Sequence, residues 1–258
     1  MESKITLSND VNNRPEDLYL GIFIKKNGSN SYHLGFIYCK KRYSLFTIKF
    51  CDTHALQDFN FSQVTWKYLD KSSFHYLAHF GWKNRYIHGA DDRDYHAIHW
   101  LGFIDPENAY PIIKLLGLIK EDIDAGYGIT YGESGFDEVD GHFIRDPNVK
   151  GDSLTCAVFV LRILEQFGFY IVDRDSWTID GNTENWQNDV IAMIQKYPPK
   201  AQPEFLQSQK DNVGKFPRFS PDQVLGASCI FEGDSIKHKQ ASDAGAIVLK
   251  KLDDLCAA

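Results

Sequence analysis

The sequence predicts an α+β fold: an antiparallel sheet packed against a buried, nucleophile-bearing helix, with additional helices. Three observations carry this. Apolar, β-rich runs at residues 18–25, 31–39 and 43–50 are separated by short polar turns, the pattern of an antiparallel meander. Residues 155–167 (TCAVFVLRILEQF) are apolar nearly all round, which suits a central helix rather than a surface one. The 258 residues are 43% hydrophobic and 24% charged, ordinary globular values that argue against disorder.

Each element has a local reason. Lys26-Asn27-Gly28-Ser29-Asn30 and Lys40-Lys41-Arg42 punctuate the three strands. Residues 1–17 are polar and read as a loose arm. Residues 62–80 read as helical. Asp105-Pro106 opens a helix running to about Ile119, with Asp105 as N-cap, Pro106 at the first helical position and Pro111 as an internal kink point. Short strands are expected at 127–131 and 141–144, followed by a Gly/Asp/Pro/Asn loop. The central helix starts after Gly151-Asp152-Ser153 and stops at Gly168. A further helix over 183–196 ends at Pro198-Pro199, residues 198–218 read as an extended linker, Ser220-Pro221-Asp222 opens a short helix, and 241–255 forms the last. The whole reads as one domain over 1–258, with a helical insertion at about 60–125 and a C-terminal extension at about 198–258.

Composition excludes several classes. Lys and Arg number 28 against 35 Asp and Glu, a formal charge of −7 that lacks the overall basic footprint of a nucleic-acid binder. No apolar run is long enough to span a membrane, and the first residues lack a signal-peptide pattern. The five cysteines form no CxxC pair, so the expectation is free thiols in a reducing cytoplasm, with export as an effector without a signal peptide left open.

Chemistry concentrates on Cys156. A helix start carries partial positive charge, which favours thiolate, and its free N–H groups can hold an oxyanion. The nucleophile needs a base, and His33, on an early strand with Gly35 beside it to allow close approach, is the candidate. The plain alternatives are a cysteine that is a small buried hydrophobe and a structural strand histidine. His75 and His79 (i, i+4) and His96 and His99 (i, i+3) would share helical faces, yet no HExxH pattern or further ligand completes a metal set, so no metal or cofactor is assigned. Asp91-Asp92-Arg93-Asp94 reads as a solvated turn. Tyr127–Gly132 lacks the following helix a phosphate-binding loop needs. Trp177 and Trp186 flank the Asp180-Gly181-Asn182 turn as packing residues.

The stretch Thr155-Cys156-Ala157-Val158-Phe159-Val160 resembles the nucleophile helix of the NlpC-like branch of the papain-like cysteine hydrolases. Because His33-Leu34-Gly35-Phe36-Ile37 precedes the cysteine, the order resembles the circularly permuted members, among them the lecithin:retinol acyltransferase relatives. Those relatives have an acidic-basic pair after the cysteine where this chain has Ala157-Val158. The resemblance implies a third polar residue on 43–50 that orients the histidine. Thr47 is preferred over Lys49 because a hydroxyl accepts a hydrogen bond and an ammonium does not; Asp52 and His54 compete.

The expected function is a cysteine-dependent hydrolase (amidase or peptidase) or acyl-transfer enzyme acting on a peptide, amide or ester. Cys156 would attack, His33 would shuttle the proton and Thr47 would steady the ring. One rival is a non-catalytic binding or regulatory protein that retains the fold. A second is a metal-dependent hydrolase using the central histidines.

Overall fold

The computed structural model describes residues 1–9, 14, 19–27, 31–40, 74–81, 85–90, 95–121, 123–196 and 203–257. The architecture is α+β. Strands β1 (Leu20–Lys26), β2 (Tyr32–Lys40), β3 (Phe74–Gly81), β4 (Arg85–Ala90) and β5 (Ala97–Trp100) form one antiparallel sheet of order β4-β3-β2-β1-β5. The first two fall where the β-rich runs put them, and Asn27 N–H, just past β1, donates to Ser31 O, just before β2, at 2.6 Å. The third expected strand, 43–50, lies outside the described residues.

Two expectations fail in this region. Residues 74–80 are strand β3, not helix, and the described part of the supposed helical insertion contributes β3, β4 and β5 to the main sheet before helix α1 (Pro106–Leu118). The physical reason is burial on both sides. Ala78 and Phe80 face one core and Leu77 the other, so β3 loses the apolar–polar alternation that marks a half-exposed strand. Residues 1–9 of the N-terminal arm are not loose either: Ile5 is buried, and Ser8 exchanges two backbone hydrogen bonds with Ile98 of β5 (2.9 and 2.7 Å).

The sheet's two faces are distinct. Leu20, Ile22 and Ile24 of β1, Leu34, Phe36 and Tyr38 of β2, Phe80, and Tyr86 of β4 enter the main core with helix α2. The alternate residues Phe23, Ile37, Leu77, Ile98 and Trp100 form a second apolar cluster on the opposite face. Register ties these sets together: Phe23 lies opposite Gly35, and Phe36 opposite Ala78.

Helix α2 (Cys156–Gln166) is the centre of the main core, buried from Cys156 through Glu165. Thr155 caps it, its Oγ1 accepting from Val158 N–H at 3.1 Å. Gly168, at φ +85°, ends it in the left-handed region that glycine tolerates, while Phe169 N–H donates to Leu164 O. The Phe159 ring packs on Phe36 (6.1 Å between centroids), Tyr86 (5.8 Å) and Phe136 (5.8 Å). The buried pair Arg162–Glu165 (3.0 Å) is extended by Arg174, whose Nε donates to Glu165 at 2.9 Å. The charged side chains thus sit inside the protein as partners, as desolvation requires.

Before α2, the expected strands shrink to two-residue pieces: β6 (Gly126–Tyr127) pairs in parallel with β9 (Ser153–Leu154), and β7 (Gly135–Phe136) pairs with β8 (Phe143–Ile144). Buried Asp152 holds the intervening loop by accepting from Gly132 N–H (2.8 Å) and Asp146 N–H (2.9 Å). Helix α3 (Gly181–Lys196) follows as expected. The supposed linker instead contains helix α4 (Pro203–Asp211), and its Gln209 explains why: Oε1 accepts from Ile129 N–H (2.8 Å) and Nε2 donates to Gly151 O (2.6 Å). A polar sequence reads as linker, but here its amide satisfies buried backbone. Helices α5 (Pro221–Ile230) and α6 (His238–Ala257) close the core, crossing where Gly226 meets Gly245.

We expect Phe159→Ala to cost about 3–5 kcal/mol and Thr155→Ala about 1 kcal/mol of stability. Urea unfolding followed by circular dichroism checks both; equal losses would contradict the central place of Phe159 in the core.

Candidate functional site

Cys156 occupies the first turn of α2, as expected, at the edge of a cavity of about 360 Å³. Tyr32, Tyr127, Trp186, Arg218 and Asp222 line the cavity with it, and Asp189 stands at its exposed side. The cysteine is only 5% exposed. Backbone N–H groups of Leu34, Ala157 and Cys156 itself face the sulfur, and the Arg218 guanidinium adds positive charge nearby. Both effects favour thiolate, as the sequence argument anticipated. Burial opposes them and prevails, so the thiol lies above its ordinary value of 9.0 rather than below it.

The structure does not bring His33 to Cys156. Successive strand residues point to opposite faces. On β2, Tyr32, Leu34 and Phe36 face α2, so His33 and Gly35 face the other way. His33 shares a 2.6 Å hydrogen bond, Nε2 to Nδ1, with His79 of β3, and its ring lies 6.3 Å from that of Phe23. Gly35 does permit a close approach, but of the wrong partner: a Cβ there would stand 2.4 Å from the His79 Cβ and 2.5 Å from the Phe23 ring. Thr47, with its competitors Asp52 and His54, lies outside the described residues. Among the described residues lining the Cys156 cavity there is no imidazole.

The histidine pairs considered for metal binding are rearranged by the strands. His75 and His79 share a face of β3, but four residues of strand separate them by about 13 Å. His96 precedes β5, where its Nδ1 accepts from Lys26 N–H at 3.2 Å, while His99 lies within β5 with Nδ1 3.2 Å from Thr6 O. Among the described residues, no group of three or more His, Cys, Asp or Glu side chains is placed to hold a metal ion.

Three residues of the cavity were not singled out from sequence. Arg218 carries its guanidinium 4.8 Å from the Trp186 ring centre, and its Nε is buried with no hydrogen-bond partner among the described residues. Burial lowers its pKa, opposed by the neighbouring Asp222 carboxylate. Burial likewise pushes the Tyr127 phenol well up, reinforced by Cys156 beside it. The available signal was an arginine bracketed by aromatics in Phe216-Pro217-Arg218-Phe219, hidden because the segment reads as linker.

Comparison with known proteins adds nothing to this geometry: no family model, curated protein or solved structure matches the chain. Among the described residues, no helix is long and apolar enough to cross a membrane.

The burial of Cys156 and Tyr127 has a pH consequence. Both pKa values are raised in the folded protein, so the neutral forms are favoured there; their contribution is complete below the ordinary values of 9.0 and 10.0 and is lost as pH rises beyond them. We expect the urea midpoint to fall between about pH 8 and pH 10, and Cys156→Ser to show a smaller fall over the lower part of that range. A midpoint independent of pH there would contradict the burial of both groups.

Proposed function

We propose that the chain is a non-catalytic binding or regulatory protein on a permuted papain-like scaffold, taking an amino-acid-like or short peptide ligand in the Cys156 cavity. The observation that carries the reading is that the imidazole expected to activate Cys156 projects from the opposite face of β2, toward His79. The antiparallel sheet packed on a cysteine-bearing helix supports the scaffold. The ligand class follows from the lining. A guanidinium with an unpaired Nε and the start of α2 suit a carboxylate, Asp189 and Asp222 suit an ammonium group, and Trp186 offers an apolar wall. The cavity, about 360 Å³, is at the small end of ligand sites, which suits a molecule of amino-acid to dipeptide size.

The rival, cysteine-dependent hydrolysis or acyl transfer, is favoured by one observation: three backbone N–H groups face the Cys156 sulfur. Such an enzyme would need a proton acceptor other than His33.

Alkylation and binding separate the two readings. With dilute iodoacetamide at about pH 6, exposed Cys256 should label before buried Cys156, and His33→Ala should leave the Cys156 rate unchanged. In saturation-transfer NMR with an equimolar panel of free amino acids and dipeptides, at least one member should bind, and Arg218→Gln should weaken it about tenfold while His33→Ala does not. Fast, His33-dependent labelling of Cys156 would restore the hydrolase, and a panel without binders would overturn the ligand class.

A further inference from the structure

A second cavity, remote from Cys156 in its chemistry and lining, lies between the sheet and α1 and encloses about 570 Å³. Its sheet side is a row of aromatic rings built by register. Tyr38 of β2 lies directly opposite Tyr76 of β3, and His88 of β4 opposite Ala78, one pair further along the same face. The rings stand nearly parallel: Tyr38 and Tyr76 at 16° with centroids 5.6 Å apart, Tyr38 and His88 at 13° and 5.9 Å. Tyr86 continues the row beside His88 at 11° and 6.0 Å. The Tyr38 hydroxyl is hydrogen-bonded to His88 Nε2, and the Tyr86 hydroxyl donates to Leu116 O of α1. The Tyr38 and Tyr86 hydroxyls are thereby spent within the protein, and the stacked rings of Tyr38, Tyr76 and His88 give this wall its aromatic character.

The α1 side is different. Tyr110 is 70% exposed, an unusual position for a large ring, and Lys114 stands one turn further along the same helix at the cavity. No carboxylate is found among the described lining residues, in a chain whose net charge is −7. A cavity of this volume with an aromatic wall, the Lys114 ammonium at its rim and the Arg14 guanidinium over the Tyr19 ring fits the general form of a small-molecule site for an anion.

We propose that this cleft binds a planar aromatic molecule carrying an anionic group, such as an aryl carboxylate, sulfonate or phosphate. The ring packs by offset or edge contact with Tyr76 and Tyr110, and the anion pairs with Lys114. The site is independent of the Cys156 cavity and does not rest on the function proposed for it.

Two fluorescent probes of similar ring structure test this in the full chain: 1-anilinonaphthalene-8-sulfonate, an anion, and N-phenyl-1-naphthylamine, its uncharged counterpart. The anionic probe should saturate at one site per chain. Lys114→Glu should weaken it about tenfold while changing the neutral probe less than about twofold, since only the former loses an ion pair. Tyr76→Ala should weaken both probes. Tyr110→Ala, an exposed position that leaves the fold intact, should do the same if Tyr76→Ala fails to fold. Arg218→Gln should change neither. Absence of saturable binding, or binding of the anionic probe that is indifferent to both Lys114→Glu and Tyr110→Ala, would overturn the proposal.

Discussion

Strand β2 is the middle strand of the sheet and is buried on both faces, so its alternation decides what can meet Cys156. One face of the strand, through Leu34, Phe36 and Tyr38, is committed to the core around α2. A slip of one residue would turn all three away and expose the core to His33, Gly35 and Ile37 instead. Register is therefore held by large apolar contacts on both sides. Gly35 adds to this, because only a residue without a side chain fits between Phe23 and His79. The position of His33 is thus a consequence of packing around it and not an adjustable feature of the site.

A second competition sets the state of Cys156. The start of α2, three facing N–H groups and Arg218 all favour the thiolate, and in an open cleft they would produce an activated nucleophile. Burial acts in the other direction and is the larger effect. A neutral, enclosed thiol thus lines the same cavity as Arg218, Tyr127 and Trp186. The buried Arg218 Nε has no hydrogen-bond partner among the described residues, a group that a bound carboxylate would satisfy.

Much of the scaffold was legible from residues. The Asp105-Pro106 start of α1, the Thr155 cap and Gly168 stop of α2, and the first two strands all carry local chemistry that needs no tertiary partner to be read. What was not legible depends on partners distant in sequence. Strand β3 is buried on both sides and shows no alternation, so His75 and His79 imitate a helical pair. Helix α4 exists in a polar stretch because Gln209 reaches backbone groups of the 129–151 segment. For the site, the cysteine at a helix start was readable and the face occupied by His33 was not, since the residue sits near a strand end where sequence alone does not fix parity. Arg218 and Asp222 lie four residues apart, but Tyr127 and Trp186 reach the cavity from two other segments, and no spacing rule links the three stretches.

The opposition of His33 and Cys156 across β2 is tested most directly by nuclear Overhauser contacts in protein with labelled histidines. The His33 ring protons should show cross-peaks to the His79 and Phe23 rings and none to the Cys156 β-protons. Cross-peaks between the His33 ring and the Cys156 β-protons would contradict it and reinstate the catalytic pair.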